Sequence, residues 1–230
     1  MFAYIPARGG SKRVPGKNIR TLGGRPVLAH VLQTLQKVPG LTDVFVSTDD
    51  PAIARVAETN GARWLGPRDP ELSNDKAGFI DLIHRDIPRH ADAANGARDV
   101  LFVLALAALV PGKVFAAACE AFQRHRPNLL MSVVPCTKSP YWSLVPDATG
   151  HLVPLFPEWV YVNSQDLPVA YDDAGLFYVF DWYVLKSYDS HKNMPGLLPF
   201  PVDRSHAIDV DTEDDWNRLE TAFRQRHCAS

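Results

Sequence analysis

Cysteine, net charge and long apolar runs are all scarce in this chain of 230 residues. Its three cysteines, Cys119, Cys136 and Cys228, are odd in number and widely spaced, which argues against a disulfide framework or a zinc site. The longest apolar run, Val100 to Val110, is too short to cross a bilayer, and no signal-peptide pattern opens the chain. We therefore expect a cytoplasmic protein in a reducing compartment, with no membrane partner.

The charge of the chain is small in sum but uneven in distribution. The formal net charge is −2, which argues against a general nucleic-acid partner. From Met1 to Thr42, however, there are seven Lys or Arg residues and no acid, and the first carboxylate is Asp43. This cationic end predicts that an anionic ligand binds near the N-terminus.

Short apolar segments alternate with amphipathic ones along most of the chain. Such alternation predicts an α/β fold, a mostly parallel sheet with helices on both faces. Ligands of such sheets bind beyond the carboxyl ends of the strands. The predicted strands are Phe2–Ile5, Val44–Val46, Asp99–Ala105 and Leu130–Val134, and the predicted helices begin at Pro26, Pro51 and Pro111, with helical spacing also around Ile80, Ile83 and Ile87.

This alternation stops near Pro135. Residues 136–175 are rich in Pro, Trp and Tyr, and we interpret them as an inserted, largely extended segment. The core domain would then comprise residues 1–135 and 176–230. Within its second part we expect strands at Leu176–Phe180 and Ala207–Val210, followed by a helix that Thr212 can cap.

A Gly-rich basic loop, Pro6 to Asn18, follows the first predicted strand. Glycines allow backbone N–H groups to approach a phosphate closely, and the cations would neutralise it. The loop is not a P-loop, because Asn18 follows Lys17 where Ser or Thr is required, and no G-x-G-x-x-G is present. A solvated basic loop is the alternative, but the position after a first strand favours phosphate binding.

The loop resembles the opening motif of a known family. Residues 5–13, with Pro15 and residues 17–19, are similar to the start of the acylneuraminate cytidylyltransferases, which make CMP derivatives of sialic, pseudaminic and legionaminic acids. The resemblance continues at residues 47–50, 68–72 with Asp75, 164–167 and 208–216. It implies a Rossmann-like nucleotidyltransferase that transfers CMP from CTP to the anomeric hydroxyl of an acidic nine-carbon sugar, as a homodimer joined through residues 136–175.

The same resemblance implies roles for individual residues. It assigns Asp209 and Asp211 to Mg²⁺. Two carboxylates at i and i+2 of a strand point the same way, and Mg²⁺ is usually held by carboxylates plus substrate phosphates, so these two residues are chemically suitable ligands. For this pair, charges that cap the following helix are the alternative. The implied set is Lys17, Arg8 and Arg13 for catalysis; Ala7, Arg8, Gly9, Gly10, Ser11, Lys17, Asn18 and Arg68 for the nucleotide; Gln165, Asp166 and Tyr171 for the sugar; and Asp209 and Asp211 for Mg²⁺.

One loop departs from the family pattern. Residues 105–108 are Ala-Leu-Ala-Ala where sialic-acid enzymes carry a polar Gln-Pro-Thr-Ser-Pro run. Residues 171–175 resemble the pseudaminic branch more than the sialic branch. Together these features favour a sugar with a methyl tail, such as pseudaminic acid. Two other interpretations remain open: activation of an eight-carbon acid sugar, and a catalytically silent nucleotide-binding protein.

Overall fold

The computed structural model describes residues 1–190 and 194–228, with side chains described as far as residue 226. The strands in this part are β1 (Phe2–Pro6), β2 (Thr21–Leu22), β3 (Arg25–Pro26), β4 (Val44–Ser47), β5 (Asp99–Val103), β6 (Leu129–Pro135), β7 (Leu144–Pro146), β8 (Leu152–Pro154), β9 (Tyr171–Asp181) and β10 (Leu197–Pro201). The α-helices are α1 (Val27–Leu35), α2 (Pro51–Thr59), α3 (Phe79–Arg85), α4 (Ile87–Ala93), α5 (Gly112–His125), α6 (Trp182–Leu185) and α7 (Glu213–Cys228). None of these helices combines the length and the apolar character that crossing a membrane would require.

Six strands form one central sheet in the order β10-β6-β9-β5-β1-β4. Strand β9 runs antiparallel to both its neighbours, whereas the other adjacent strands are parallel. The mostly parallel sheet predicted from sequence is therefore confirmed. Strand β9 begins at Tyr171, inside the segment interpreted as an insert, and its first residues pair with the end of β6.

Helices cover both faces of this sheet because consecutive strand residues point to opposite sides. Ala3 and Ile5 of β1 pack into one buried cluster with residues of α1, α2 and α5. Phe2 and Tyr4 pack into a second cluster with residues of α3, α4 and α6. The sheet thus has two apolar cores, one on each face, as the sequence alternation predicted.

One prediction about the C-terminal part needs correction, and one strand there was not predicted. Residues 207–210 form no strand, so the two aspartates are not presented by strand geometry. Conversely, β10 was not predicted, because Pro199 and Pro201 resemble strand breakers. The strand forms at the sheet edge, where proline is tolerated because no ladder hydrogen bond is lost there.

A third, smaller apolar cluster lies around α7. Its members include Val14 of the Gly-rich loop, Leu109 of the loop after β5, Val210 and Trp216. Trp216 is fully buried, and the guanidinium carbon of Arg20 lies 4.6 Å from its ring centroid. This cluster connects three loops that meet near the carboxyl ends of the strands.

We expect Trp216→Ala to lower the free energy of unfolding by about 3–5 kcal/mol, because a large buried side chain would be replaced by a cavity. Chemical denaturation followed by circular dichroism measures this. The matched control is Asn217→Ala, an exposed neighbour on the same helix, which should change stability by less than about 0.5 kcal/mol. Equal effects of the two substitutions would contradict a structural role for this cluster.

Candidate active site

A cavity of about 300 Å³ opens at the carboxyl ends of β1 and β5. This is the edge of the sheet at which ligands of open α/β folds bind. It is enclosed by the Gly-rich loop, the segment around Arg68 to Leu82, the loop after β5, and residues 208–209. The polar residues that line it are Arg8, Ser11, Lys12, Arg13, Lys17, Asn18, Arg68, Asn74, Asp75 and Asp209.

The Gly-rich loop is held in place by hydrogen bonds within the loop and to neighbouring segments rather than by regular secondary structure. Asn18 donates from Nδ2 to the backbone oxygen of Arg8 at 2.9 Å, and Lys17 donates from Nζ to the backbone oxygen of Val210 at 2.7 Å. The Gly9 N–H donates to Asp49 Oδ1 at 3.0 Å. A Cβ at Gly9 would lie 2.6 Å from an Asp50 carboxylate oxygen, so this position requires glycine.

Four cations of this loop face two carboxylates. Arg8 and Lys12 pair with Asp75 at 2.8 and 2.7 Å. Arg13 and Lys17 lie 2.8 and 3.9 Å from Asp211 Oδ1. The hydrogen bond and positive charge of Lys12 hold the pKa of Asp75 below its ordinary value. The site therefore contains a dense cationic surface whose charges are already partly neutralised by protein carboxylates.

Arg68 differs from these cations because it is almost completely buried, with 3% of its surface exposed. Its Nε donates to Ser73 Oγ at 3.1 Å and its Nη1 to the backbone oxygen of Ser47 at 3.4 Å. Within the described residues, no carboxylate lies at ion-pair distance from it. Ser47 in turn donates to the buried Asp86, which also accepts from Tyr4. A buried guanidinium fixed in this way can offer directed donors to a ligand in the cavity.

Asp209 and Asp211 are the acids that fit a metal ion at this site. The pKa of Asp209 is raised, first by loss of solvent around its carboxyl group and then by the negative charge of Asp211. A divalent cation would relieve this repulsion, and oxygen ligands suit Mg²⁺. Among the described residues there is no group of three or more His, Cys, Asp or Glu side chains placed to hold a metal. Further ligands would thus have to come from substrate or water.

Asp215, the third acid in the first turn of α7, has a different function. Asp215 accepts hydrogen bonds from the Thr212 hydroxyl at 2.7 Å and the Thr212 N–H at 2.9 Å, while Thr212 Oγ1 accepts from the Asp215 N–H at 3.2 Å. These bonds hold the pKa of Asp215 well below its ordinary range. The predicted cap at Thr212 is confirmed.

Part of the cavity lining is apolar. It is formed by Leu104, Ala105 and Leu106 of the loop after β5, with Leu176 and Ile208 beside them. The loop is anchored by a backbone hydrogen bond from Leu104 to Leu176 at 2.9 Å. Of the apolar residues 105–108 noted in the sequence, Ala105 and Leu106 therefore border the site, whereas Ala107 and Ala108 do not line it.

The structure brings together some predicted site residues and not others. Arg8, Ser11, Arg13, Lys17, Asn18, Arg68 and Asp209 line the cavity, and Asp211 contacts two of them. Ala7 is buried in the core, and Gly9 and Gly10 lie outside the lining. Gln165 and Asp166 lie on an exposed turn of 3₁₀ helix, and Tyr171 begins β9, also outside the lining.

Sequence reasoning gave no role to Lys12, Asn74, Asp75 or Ile208, all of which line the cavity. Lys12 and Asp75 do lie in the segments that resemble the family, and this was the one indication in the sequence that they belong to the site. Their pairing was not visible, because 63 residues separate them in the chain.

Comparison with known proteins agrees with this geometry. A family profile described as Cytidylyltransferase matches residues 2–87. The chain is 33% identical to the CMP-N,N'-diacetyllegionaminic acid synthase of Legionella pneumophila, over 96% of this chain and 94% of that protein. It is 28% identical to the pseudaminic acid cytidylyltransferase of Campylobacter jejuni strain 81-176, over 98% and 97% of the two chains.

The fold comparison extends to solved structures. A CMP:2-keto-3-deoxy-manno-octonic acid synthetase complexed with CTP superposes with a TM-score of 0.71, at 17% identity and with 98% of each chain covered. This likeness concerns the fold alone. The relatives that match over nearly the whole chain, with the family profile, confirm the resemblance noted in the sequence: the chain belongs to the cytidylyltransferase family.

Proposed function

We propose that this protein transfers CMP from CTP to the anomeric hydroxyl of a nonulosonic acid and releases pyrophosphate. The observation that carries the proposal is a cavity whose lining combines cations with apolar side chains. The cations include Arg8, Lys17 and the buried Arg68, and the apolar side chains include Leu104 and Leu106. The cations suit a nucleoside triphosphate, and the apolar side chains suit part of a sugar.

The proposed reaction is an in-line displacement at the α-phosphate of CTP. Catalysis of phosphoryl and nucleotidyl transfer depends mainly on positioning and on stabilising negative charge. Arg8, Arg13 and Lys17 would contact the phosphates and offset the charge that grows on the leaving pyrophosphate. Asn18 would keep the loop in shape through its bond to Arg8, and Arg68 would orient the nucleotide with its fixed donors.

We further propose that Asp209 and Asp211 hold Mg²⁺ together with phosphate oxygens. When bound, the ion would neutralise phosphate charge and favour deprotonation of the sugar hydroxyl. Occupation of the site would also change the partners of Arg13 and Lys17, because both now face Asp211. These two cations would then be available to phosphate.

The apolar part of the cavity lining predicts which nonulosonic acid the site prefers. Leu106 and its neighbours have no side-chain group that can hydrogen-bond a hydroxylated tail, and a site discriminates strongly only where it pairs polar groups. We expect kcat/KM to be higher for pseudaminic acid, which ends in a methyl group, than for sialic acid, which ends in a hydroxyl. Pyrophosphate release with CTP, Mg²⁺ and a panel of nonulosonic acids, legionaminic acid included, measures this.

The same assay separates the two alternative functions. Turnover with an eight-carbon acid but with no nonulosonic acid would favour the first alternative. Binding of CTP without turnover of any sugar would favour a silent nucleotide-binding protein. A clear preference for sialic acid would contradict the predicted sugar but not the reaction class. The cytoplasmic location expected from the few cysteines stays a prediction.

We base the proposal of a homodimer on residues 136–170, the part of the predicted insert 136–175 that precedes β9. Exposed apolar side chains are concentrated on this segment, which includes the hairpin of β7 and β8. Exposed apolar groups in one region commonly mark an interface. A second copy of the chain would cover them and would bring Gln165 and Asp166 near the partner's cavity. The exposed apolar side chains of this segment are those of Trp142, Leu144, Leu152, Val153, Leu155, Val160, Tyr161 and Val169.

We expect light scattering at micromolar concentration to give twice the chain mass of 25.5 kDa. Leu152→Asp should shift the protein towards monomer, because Leu152 is 66% exposed on the hairpin and a charge there would lose its solvent in the interface. The matched control is Leu197→Asp on the edge strand β10, which should stay dimeric. A monomeric parent protein would refute the proposed interface.

A further inference from the structure

Asp75 has a position that the proposed reaction does not explain. It lines the same cavity as Arg8 and Lys12 and pairs with both of them. Within the described residues these two cations are its ion-pair partners. The other carboxylate that faces the loop cations, Asp211, has a proposed use as a metal ligand. Asp75 has no such proposed use.

A role in stabilising the fold accounts poorly for this pairing. Half of the Asp75 side-chain surface is exposed, as is 81% of the Lys12 side chain. Ion pairs as exposed as these add little to the stability of a protein, because water and salt screen them. The Asp75 carboxylate therefore matters chiefly to whatever binds at Arg8 and Lys12.

From this geometry we infer that Asp75 is a positioning residue that competes with phosphate groups for Arg8 and Lys12, and so limits how tightly the site holds polyphosphate. This inference rests on the proposed function. Phosphate oxygens that reach these cations must displace the carboxylate or lie beside its negative charge, and either costs binding free energy. The competition would weaken binding of CTP and also of the pyrophosphate product. A site that must release pyrophosphate in each cycle benefits from that limit.

The test is calorimetric titration of the wild type and of Asp75→Asn with tripolyphosphate, pyrophosphate and CTP at low ionic strength. Removing the charge should tighten binding of all three by about threefold to tenfold. The gain should shrink as salt is raised, because screening weakens interactions between partly exposed charges. Asp75→Glu keeps the charge and should stay within about twofold of the wild type.

The matched control is Glu71→Gln, which removes one negative charge from the same segment. Glu71 pairs with Arg85 at 2.8 Å and does not line the cavity, so its substitution should leave these affinities unchanged. Unchanged or weaker binding to Asp75→Asn overturns the inference, as does equal tightening by Asp75→Glu, or failure of both wild type and Asp75→Asn to bind tripolyphosphate. Tighter tripolyphosphate binding without any sugar turnover would support the inference and reject the proposed function alone.

Discussion

Lys17→Ala is expected to lower kcat by about a hundredfold, which corresponds to about 2.7 kcal/mol of barrier. Lys17 lines the cavity, with only 25% of its side chain exposed, and lies 3.9 Å from Asp211. Loss of one donor that stabilises transition-state charge typically costs about 10²–10³ in rate. The Nζ bond to the Val210 backbone oxygen would also be lost, which loosens the attachment of the loop to the aspartate segment.

Steady-state pyrophosphate release, with CTP and sugar varied in turn, measures this effect. A charge that acts mainly in the transition state should change kcat more than KM. Lys37→Ala is a suitable control, because Lys37 is an exposed lysine just beyond α1 and outside this cavity. Turnover of a folded Lys17→Ala protein within about twofold of the parent would show that Lys17 does not act on the reacting phosphate.

Most of the central sheet could be predicted from the chain, for a physical reason. Strands β1, β4, β5 and β6 are buried on both faces and therefore appear as continuous apolar runs. Strand β9 was recognised only from Leu176, because its first three residues are exposed and include Asp172 and Asp173. Their place in the sheet comes from pairing with the end of β6, and no local pattern encodes that contact.

The segment before α7 shows the opposite error. Residues 207–210, Ala-Ile-Asp-Val, are mostly apolar and include two β-branched side chains, as is typical of a strand, yet tertiary contacts fix them instead. Val210 is buried against Trp216, and its backbone oxygen accepts from Lys17 Nζ. A hydrogen bond from a lysine side chain distant in the sequence takes the place of the ladder hydrogen bonds of a strand. Asp209 still reaches the cavity, although by a route that periodicity did not predict.

The site was predictable where motif and fold agree. Arg8, Lys17 and Asn18 were placed by a loop that follows the first strand, and the structure puts all three on the cavity. The distribution of charge within the cavity was not predictable. Pairing of the loop cations with Asp75 and Asp211 depends on segments brought together by folding, across separations that a sequence pattern does not report.

Asp211→Asn is expected to abolish most Mg²⁺-dependent turnover, by at least about a hundredfold at the metal concentration that saturates the parent. The amide retains the size of the side chain but loses the charge that Mg²⁺ prefers in its ligands. The Arg13 and Lys17 contacts at Oδ1 would weaken at the same time. CTP should consequently bind the variant at least as tightly as the parent when metal is withheld, because a negative charge near the phosphates has been removed.

These opposite effects distinguish loss of a metal ligand from general damage to the site. A misfolded or distorted cavity would bind CTP more weakly with or without metal, whereas a lost ligand would reduce only the response to Mg²⁺. Asp214→Asn provides the matched control, because Asp214 is an exposed acid in the first turn of α7 and does not line the cavity. Its Mg²⁺ titration should coincide with that of the parent. If Asp211→Asn also keeps the parental Mg²⁺ response, Asp211 is not a metal ligand, and its pairing with Arg13 and Lys17 would be its function in the site.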